Sequence, residues 1–514
     1  MEQKDRLFEL IESLNKSEKG YFKKTNAFHV KGGQNAYMRL FNIFEKLENY
    51  DEQKIADQLS LKDAKQLPYL KFYLYERILD SLDQYYQSSK VIINKLICKA
   101  DILFNKGLKL QAYKLIDRAR EYAKAHEKFG HHLVLIRIEE EYLFQEENRK
   151  IASAYLINLQ QELQLVQSKY QNLLEYLNLK NEVASAIIPY GTVRSDNDRE
   201  RIQLFFARPL LNDVQQPSST IALFHFHVMR SNLYFSLKDF NNAYKCINNA
   251  CDLIHSRTEI FEEYVIERIQ TIYHSGLVAI SLGKQDETQN QIDYLKTLKV
   301  NFEAQRYEIS LRIIHLEILK HTSLKMYDNA LAISEAFNKQ PFGELTQISE
   351  LIELQIISSI SHLHFIAGHY SEALEWNNKV LNGSITFDNI DIICAGRILD
   401  LFIHTELENF RLLTPKINSA QKFLLSKNRL FKHEKLILIF LGKYVNTNSK
   451  LRVNNLKILY KALHNGDKKN AIFSPLEAEY VNLWMENKLN NIMVPVSSGE
   501  VFNRSIHPGM PAKL

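Results

Sequence analysis

Apolar residues recur along this chain at steps of three and four almost everywhere, as in the stripe Leu67, Leu70, Leu74, Ile78 and Leu82, and no run of strict alternation interrupts them. That spacing places side chains on one face of an α-helix, so the pattern predicts helices and no substantial strand. Near the N-terminus it predicts helices over Lys4 to Leu14, Ser17 to about Phe28, Tyr37 to Leu47, Glu52 to Leu59 and Asp63 to Tyr86, with a loop at 30–35. Near the other end, Ser474, Pro475 and Glu477 spell a capped helix start. That helix, running through Trp484 to Leu489, is expected to close the end of the array.

A second regularity is laid over the first. A small turn residue is followed after two positions by an aromatic, after five by Ala, and seven further on by another small or apolar residue. Gly368, Tyr370, Ala373 and Val380 form the most complete copy; Gly107, Ala112 and Ala119, then Phe240, Ala243 and Ala250, then Tyr327, Ala330 and Phe337 are others. Weaker copies are Gly283 with Thr288 and Leu295, and Phe410 with Leu413 and Ala420. In a helical hairpin the turn residue ends the first helix, the aromatic fills the space beneath the turn, and the small residue lets the second helix approach closely. Anchors at 112, 154, 243, 288, 330, 373 and 413 give spacings of 45, 42, 43 and 40 after 243. With short turns, such periods predict helices of about 18 residues, or about 27 Å. The 89-residue interval from 154 to 243 implies a degenerate repeat anchored near 198, where PYGTVRSDNDRERIQ is polar and irregular, and an interruption or hinge is expected there.

The segment GHYSEALEWNNKVL resembles the second half of a tetratricopeptide repeat. LNKSEKGYFKK at 14–24, LYERILDSL at 74–82 and YVNLWMENKL at 480–489 are similar to an uncharacterised Bacteroidota family of helical-repeat proteins. These resemblances imply an all-α fold, an α-solenoid of tetratricopeptide-like hairpins behind a helical N-terminal module, and carry no activity with them. The expected organisation is a module over 1–89, a solenoid over 90–490 with a degenerate repeat near 189–217 and a terminal capping helix, and an irregular tail over 491–514.

Composition agrees with that class. Of 514 residues only 16 are Gly and 10 are Pro, about 5% where ordinary usage gives roughly 12%, which argues against sandwiches, barrels and Gly-rich nucleotide folds. A net charge of +5 is too small for this length to imply nucleic acid by itself. The first ten residues carry five charges, so no secretory signal is expected. Cysteines at 98, 246, 251 and 394 form no CxxC pair and suit core packing in a reducing, cytoplasmic compartment. The longest uncharged stretch, Leu354 to Ser371, holds three His and several Ser, and reads as a buried helix pair rather than a membrane span.

Candidate chemistry is sparse. Phosphate loops, dinucleotide fingerprints, HExxH and GxSxG are all missing from the sequence, so no enzyme and no cofactor is expected. His225 with His227, and His362 with His364, diverge by about 200° on a helix and cannot share one ion. Glu317 and His321 share a face but lack the second pair a di-iron bundle needs, so core or surface histidines are expected and no metal. A helix-turn-helix reads over 51–79, with a turn at Ser60 and Leu61 and with Ala56 as its small residue. Its second helix, however, offers Tyr and Leu where base-reading side chains belong, and residues 1–90 hold 15 basic against 14 acidic groups. Tyr69, Tyr73 and Arg77 form a second stripe, read as a binding ledge or, more commonly, as burial against a neighbour.

The largest charge asymmetry is late: residues 404–470 hold 14 Lys and Arg against four Asp and Glu. Lys450, Lys457 and Lys461 lie near one helix face, and Lys427, Arg429, Lys432 and Lys435 cluster at a helix junction. An acidic partner, nucleic acid or headgroups suit such a surface, and so does a solvated face favoured by helix C-termini. The expected function is a non-catalytic scaffold or adaptor holding an unidentified protein or peptide on these residues. The alternative is a regulator whose N-terminal module binds DNA while the repeats sense a ligand.

Overall fold

The computed structural model describes residues 5–26, 36–47, 50–59, 66–145, 149–188, 193–338, 350–383, 389–444, 449–464 and 475–493. Among them all regular structure is α-helical, in twenty-five helices, and none is long and apolar enough to cross a membrane. The chain divides into two compact units, Met1–Tyr170 and Gln171–Leu514.

In the first unit, α1 (Arg6–Ser13), α2 (Lys16–Asn26), α3 (Ala36–Phe44), α4 (Glu52–Leu59) and α5 (Gln66–Tyr85) surround one core, with α5 touching α1, α2 and α3. The starts are capped by short polar side chains. Asp5 Oδ1 accepts from the Leu7 and Phe8 amides, and Asn15 and Glu18 form a reciprocal box at the head of α2. Glu18 is buried because it also accepts from the Tyr86 hydroxyl, which ties α2 to the chain just beyond α5. Phe22 packs on Phe41 with ring centres 4.6 Å apart. The segment at 14–24 is therefore explained by capping and core contacts alone. The stripe from Leu67 to Leu82 faces this core. Of the second stripe, Tyr69 stands open at 71% exposure, whereas Tyr73 packs edge-on against Tyr37 of α3 and the Arg77 guanidinium donates to Asn26 of α2, so two of its three members engage neighbouring helices.

Next come α6 (Ser89–Asn105), α7 (Lys109–Ala125) and α8 (Phe129–Phe144), packed in sequence around Ile93, Ala100, Ala112 and Ala119. The helix that follows, α9 (Arg149–Ile187), begins where the anchor at Ala154 places a second helix, with Ala154 exposed, but it is continuous for 39 residues where about 18 were expected. The reason is compositional: no Gly or Pro lies between 149 and 187, so nothing local ends the helix.

In the second unit, α10 (Asp196–Phe206) and α11 (Pro209–Asn212) are followed by α12 (Thr220–Ser236), α13 (Phe240–Ser256), α14 (Thr258–Phe261), α15 (Val265–Ser281), α16 (Gln285–Thr297), α17 (Glu303–Ser323) and α18 (Tyr327–Asn338). The rest are α19 (Glu350–Ile366), α20 (Tyr370–Asn382), α21 (Ile390–Glu406), α22 (Phe410–Ser426), α23 (Lys432–Tyr444), α24 (Ser449–His464) and α25 (Pro475–Met493). Five hairpins, α12–α13, α15–α16, α17–α18, α19–α20 and α21–α22, pack in chain order. From α15 onward each first helix touches the next first helix, and every second helix also touches the first helix that follows it, a repeat-like arrangement. Helices α19 and α21 are buried on nearly every side, which accounts for the uncharged stretch from Leu354: it is one helix, a turn and the start of the next. Helix α25 packs on α24 and reaches back to α19, and the tail from 494 lies outside the described residues.

Among the described residues one turn recurs eight times. Gly107, Glu127, Lys238, Gly283, Lys325, Gly368, Glu408 and Asn428 all adopt left-handed backbone, with φ between 48° and 81°. In each, that residue's amide bonds the carbonyl three before it and the next amide bonds the carbonyl five before it, as in Gly368 to Phe365 and His369 to His364. These bonds satisfy carbonyls that a helix end otherwise leaves orphaned. Five residues after six of these turns stand Ala112, Ala243, Thr288, Ala330, Ala373 and Leu413, all fully buried, and seven further on Ala119, Ala250, Leu295, Phe337, Val380 and Ala420, which are buried as well. The approach is close enough that Ser231 and Ser361 each donate across the hairpin to the carbonyl of Ala243 and Ala373, 2.9 and 3.0 Å away. Gly276 holds the equivalent place opposite Thr288, where a Cβ would sit 2.8 Å from Leu316 Cδ2.

Ala373→Leu should therefore cost about 1 to 3 kcal/mol through overpacking, read as a lower urea midpoint at unchanged slope. An unaltered midpoint would show that the hairpin has room the packing denies.

Candidate functional site

The late basic residues separate into two environments. Lys427, at the end of α22, and Lys432 and Lys435, on α23, are exposed, as are Lys457 and Lys461 on α24. Lys450 lies in the first turn of α24, with its side chain outside the described residues. Apolar side chains stand among these cations: Ile439, between Lys435 and Lys443 at helical spacing, is 57% exposed, and Ile458, beside Lys457, is 59% exposed. Single exposed apolar side chains of this kind occur on many of the helices, so it is the clustered cations that suit an acidic partner surface.

Arg429 is elsewhere. It is 2% exposed, and its guanidinium reaches Asp198 Oδ2 at 2.9 Å and Asp391 Oδ1 at 3.1 Å. Beside it Arg194 pairs with Glu434, both buried, while Glu434 also accepts from the Phe431 amide at the head of α23. The two guanidiniums lie 4.9 and 5.7 Å from the Phe431 ring centre. Burial works to raise the Asp198 carboxyl, but Arg429, Ser195 and the Arg194 amide outweigh it and hold the group below its ordinary range. Asn389, which caps α21, donates to the Ile188 carbonyl. Where an interruption or hinge was expected, the described residues form a clasp, with Ser195 capping α10 and with Ile188, Arg194 and Asp198 bound at the starts of α21 and α23. Burial pushes the nearby Cys394 thiol up to about 12, which leaves it protonated and a poor nucleophile.

The first helices of the hairpins carry buried imidazoles. Tyr273, His315 and Ser359 form a bonded row across α15, α17 and α19, at 2.6 and 3.0 Å, and His274 meets Ser231 across α12 and α15 at 3.1 Å. Burial drives His225 and His315 down to about 3, and His274 and His362 down to about 4. All four are neutral at neutral pH; His274 and His315 serve as polar ties between helices, while His362 bonds the Ser358 carbonyl of its own helix. His321 bonds the Glu317 carbonyl while the Glu317 carboxylate pairs with Lys296. In the first unit the polar cluster is Arg120, Glu139, His132 and Glu162, in which burial lifts Glu139 to about 7 although Arg120 stands 2.8 Å away.

Sequence reasoning located the exposed lysines but missed the clasp, whose partners are up to 240 residues apart. The serine and aspartate of the RSDND run, a cap signature, were its one local signal. Comparison with known proteins returns no matching family model, no matching curated protein and no matching solved structure.

Arg194→Met leaves Glu434 buried without its cation and should cost about 3 to 5 kcal/mol of stability in a denaturant titration. Acid sensitivity follows from the imidazoles. Their folded pKa values lie below the ordinary 6.5, so in the window from 6.5 down to about 4 the unfolded chain binds protons that the folded chain does not. Each contributes a loss of about 1.4 kcal/mol per pH unit across that window. Glu139, below about 7, and Glu353, whose carboxyl burial also raises, act in the opposite sense, two carboxyls against eight lowered imidazoles. Urea midpoints should fall steeply between pH 6.5 and 5, less so in His315→Gln; a flat profile would contradict neutral burial.

Proposed function

We propose that this chain is a non-catalytic scaffold, an α-solenoid of tetratricopeptide-like hairpins that works in a reducing compartment and holds an acidic protein or peptide partner. The observation that carries the reading is the exposed face of α23 and α24, where Lys435, Lys457 and Lys461 stand with Ile439 and Ile458. Stacked hairpins present long surfaces on which many modest contacts add up, and clustered cations orient an acidic partner before those contacts form. The polar groups of the interior support the same reading, because imidazoles, serines and tyrosines on the first helices are engaged with one another across the hairpins. The DNA-binding alternative draws less support from α5, whose exposed side carries Tyr69, Phe72, Tyr73, Glu76 and Asp80 rather than base-reading or phosphate-binding groups.

The test replaces Lys435, Lys457 and Lys461 with Glu, a change of six charge units that leaves the buried Leu456 and Leu459 in place. Thermal stability should be retained. Partners captured from the native host and identified by mass spectrometry should be lost or bind with a shallower salt dependence. Capture of the same partners at unchanged affinity across a salt series would reduce this surface to a solvated face.

A further inference from the structure

Helix α25 does not follow the register of the hairpins. Ten residues, 465–474, separate it from α24, and it crosses the first helices of three successive units of the array, α19, α21 and α23. Its buried face is Tyr480, Val481, Trp484 and Met485, and its ring contacts come from the two aromatics, four residues apart. Tyr480 packs edge-on against Phe365 and Phe402, with ring centres 5.6 and 5.8 Å apart, and Trp484 against Phe402 and Phe440 at 5.0 and 6.1 Å. Between these rings lies one carboxylate. Glu406 accepts from the Trp484 indole at 2.6 Å and from Lys488 at 2.9 Å, and the Tyr370 hydroxyl bonds it from the other side. Two aromatic anchors around one desolvated charge pair are the usual anatomy of a recognition site for a helix.

The seat is also imperfect. His362 of α19 is 2% exposed and lies beneath the Tyr480 ring, with centres 5.1 Å apart. Its Nδ1 bonds the Ser358 carbonyl, which can only accept, so Nε2 carries a lone pair, and that atom has no hydrogen-bond partner. A buried acceptor left unanswered keeps its desolvation cost, and none of the described side chains of α25 bonds it.

We propose that the groove of α19, α21 and α23 is a helix-docking site that α25 occupies in the resting chain. Its partner is an amphipathic helix of another protein, with aromatics four residues apart, a cation four beyond the second and a donor for His362. The proposal rests on the scaffold reading and adds to it a second surface, distinct from the exposed lysines, together with the means by which that surface is kept closed.

The test uses the full chain and a fluorescein-labelled peptide of residues 475–493, followed by anisotropy. Tyr480→Ala/Trp484→Ala removes the internal anchors and should bind the peptide about tenfold or more tightly than the unaltered chain, and adding Glu406→Gln should reverse most of that gain. Lys488→Glu, at the rim of α25, should give a smaller gain and decides the matter if the double variant loses helicity. Peptides carrying Ser, Gln or Lys at successive buried positions should include one that competes better, with its advantage abolished by His362→Leu. Equal peptide affinity for the unaltered chain, the double variant and Lys488→Glu overturns the docking site. A concentration-dependent dimer of the unaltered chain that Trp484→Ala abolishes makes a second copy the occupant and overturns the external partner. Peptide exchange as expected, with capture indifferent to the lysine substitutions, removes the lysine surface and leaves the groove standing; the reverse pattern does the opposite.

Discussion

The left-handed turn is the constraint on which the rest of the array depends. By reversing the chain within about two residues it sets the second helix so close to the first that only a small or well-fitted side chain enters five positions later. It also answers helix-end carbonyls with backbone amides, so the junction needs no polar side chain of its own. Its cost falls on backbone conformation: no heavy atom crowds the Cβ position at Gly107, Gly283 or Gly368, so the glycine there answers φ rather than space. Five other turns adopt the same φ with a residue that pays the left-handed penalty, which packing on both flanks must offset.

That division explains what the sequence made legible. Where the turn residue is Gly and the close position is Ala or Thr, as at Gly107 and Ala112 or Gly368 and Ala373, the signature is local and the register was readable. Where packing imposes the turn on Glu127 or Asn428, no copy of the signature was readable, whereas at Lys238 the aromatic and the small residue, Phe240 and Ala243, still marked it. The turns at Glu127 and Asn428 are followed at the close position by His132 and His433, which disguises them further. The N-terminal helices were readable within a few residues because their stripes and caps are local. The unbroken α9 was misjudged because a period carried over from neighbouring repeats outweighed the plain lack of a helix breaker.

The basic late region shows the corresponding limit for charge. Counting places Arg429 among lysines, yet two carboxylates distant in sequence, Asp198 and Asp391, draw it inside, and counting cannot separate a surface cation from half of a buried pair. The exposed residue of that charge is carried by side chains on α22, α23 and α24. The interior meets its polar demands differently, through neutral imidazoles that link successive first helices and hold the row in register.

An array whose hairpins touch mainly their neighbours can assemble piecemeal, each unit docking on the one before as the chain emerges during synthesis. The bond between Arg194 and Glu434 changes that order of events. It joins positions 240 residues apart, so its partner has not yet been made when the first hairpins of the unit are complete. Until then Arg194 and Asp198 remain hydrated on an unfinished edge, and the contact that closes last has the longest loop to organise. The clasp thereby joins the start of the second unit to α21 and α23, so that hairpins which touch mainly their neighbours also share one long-range tie.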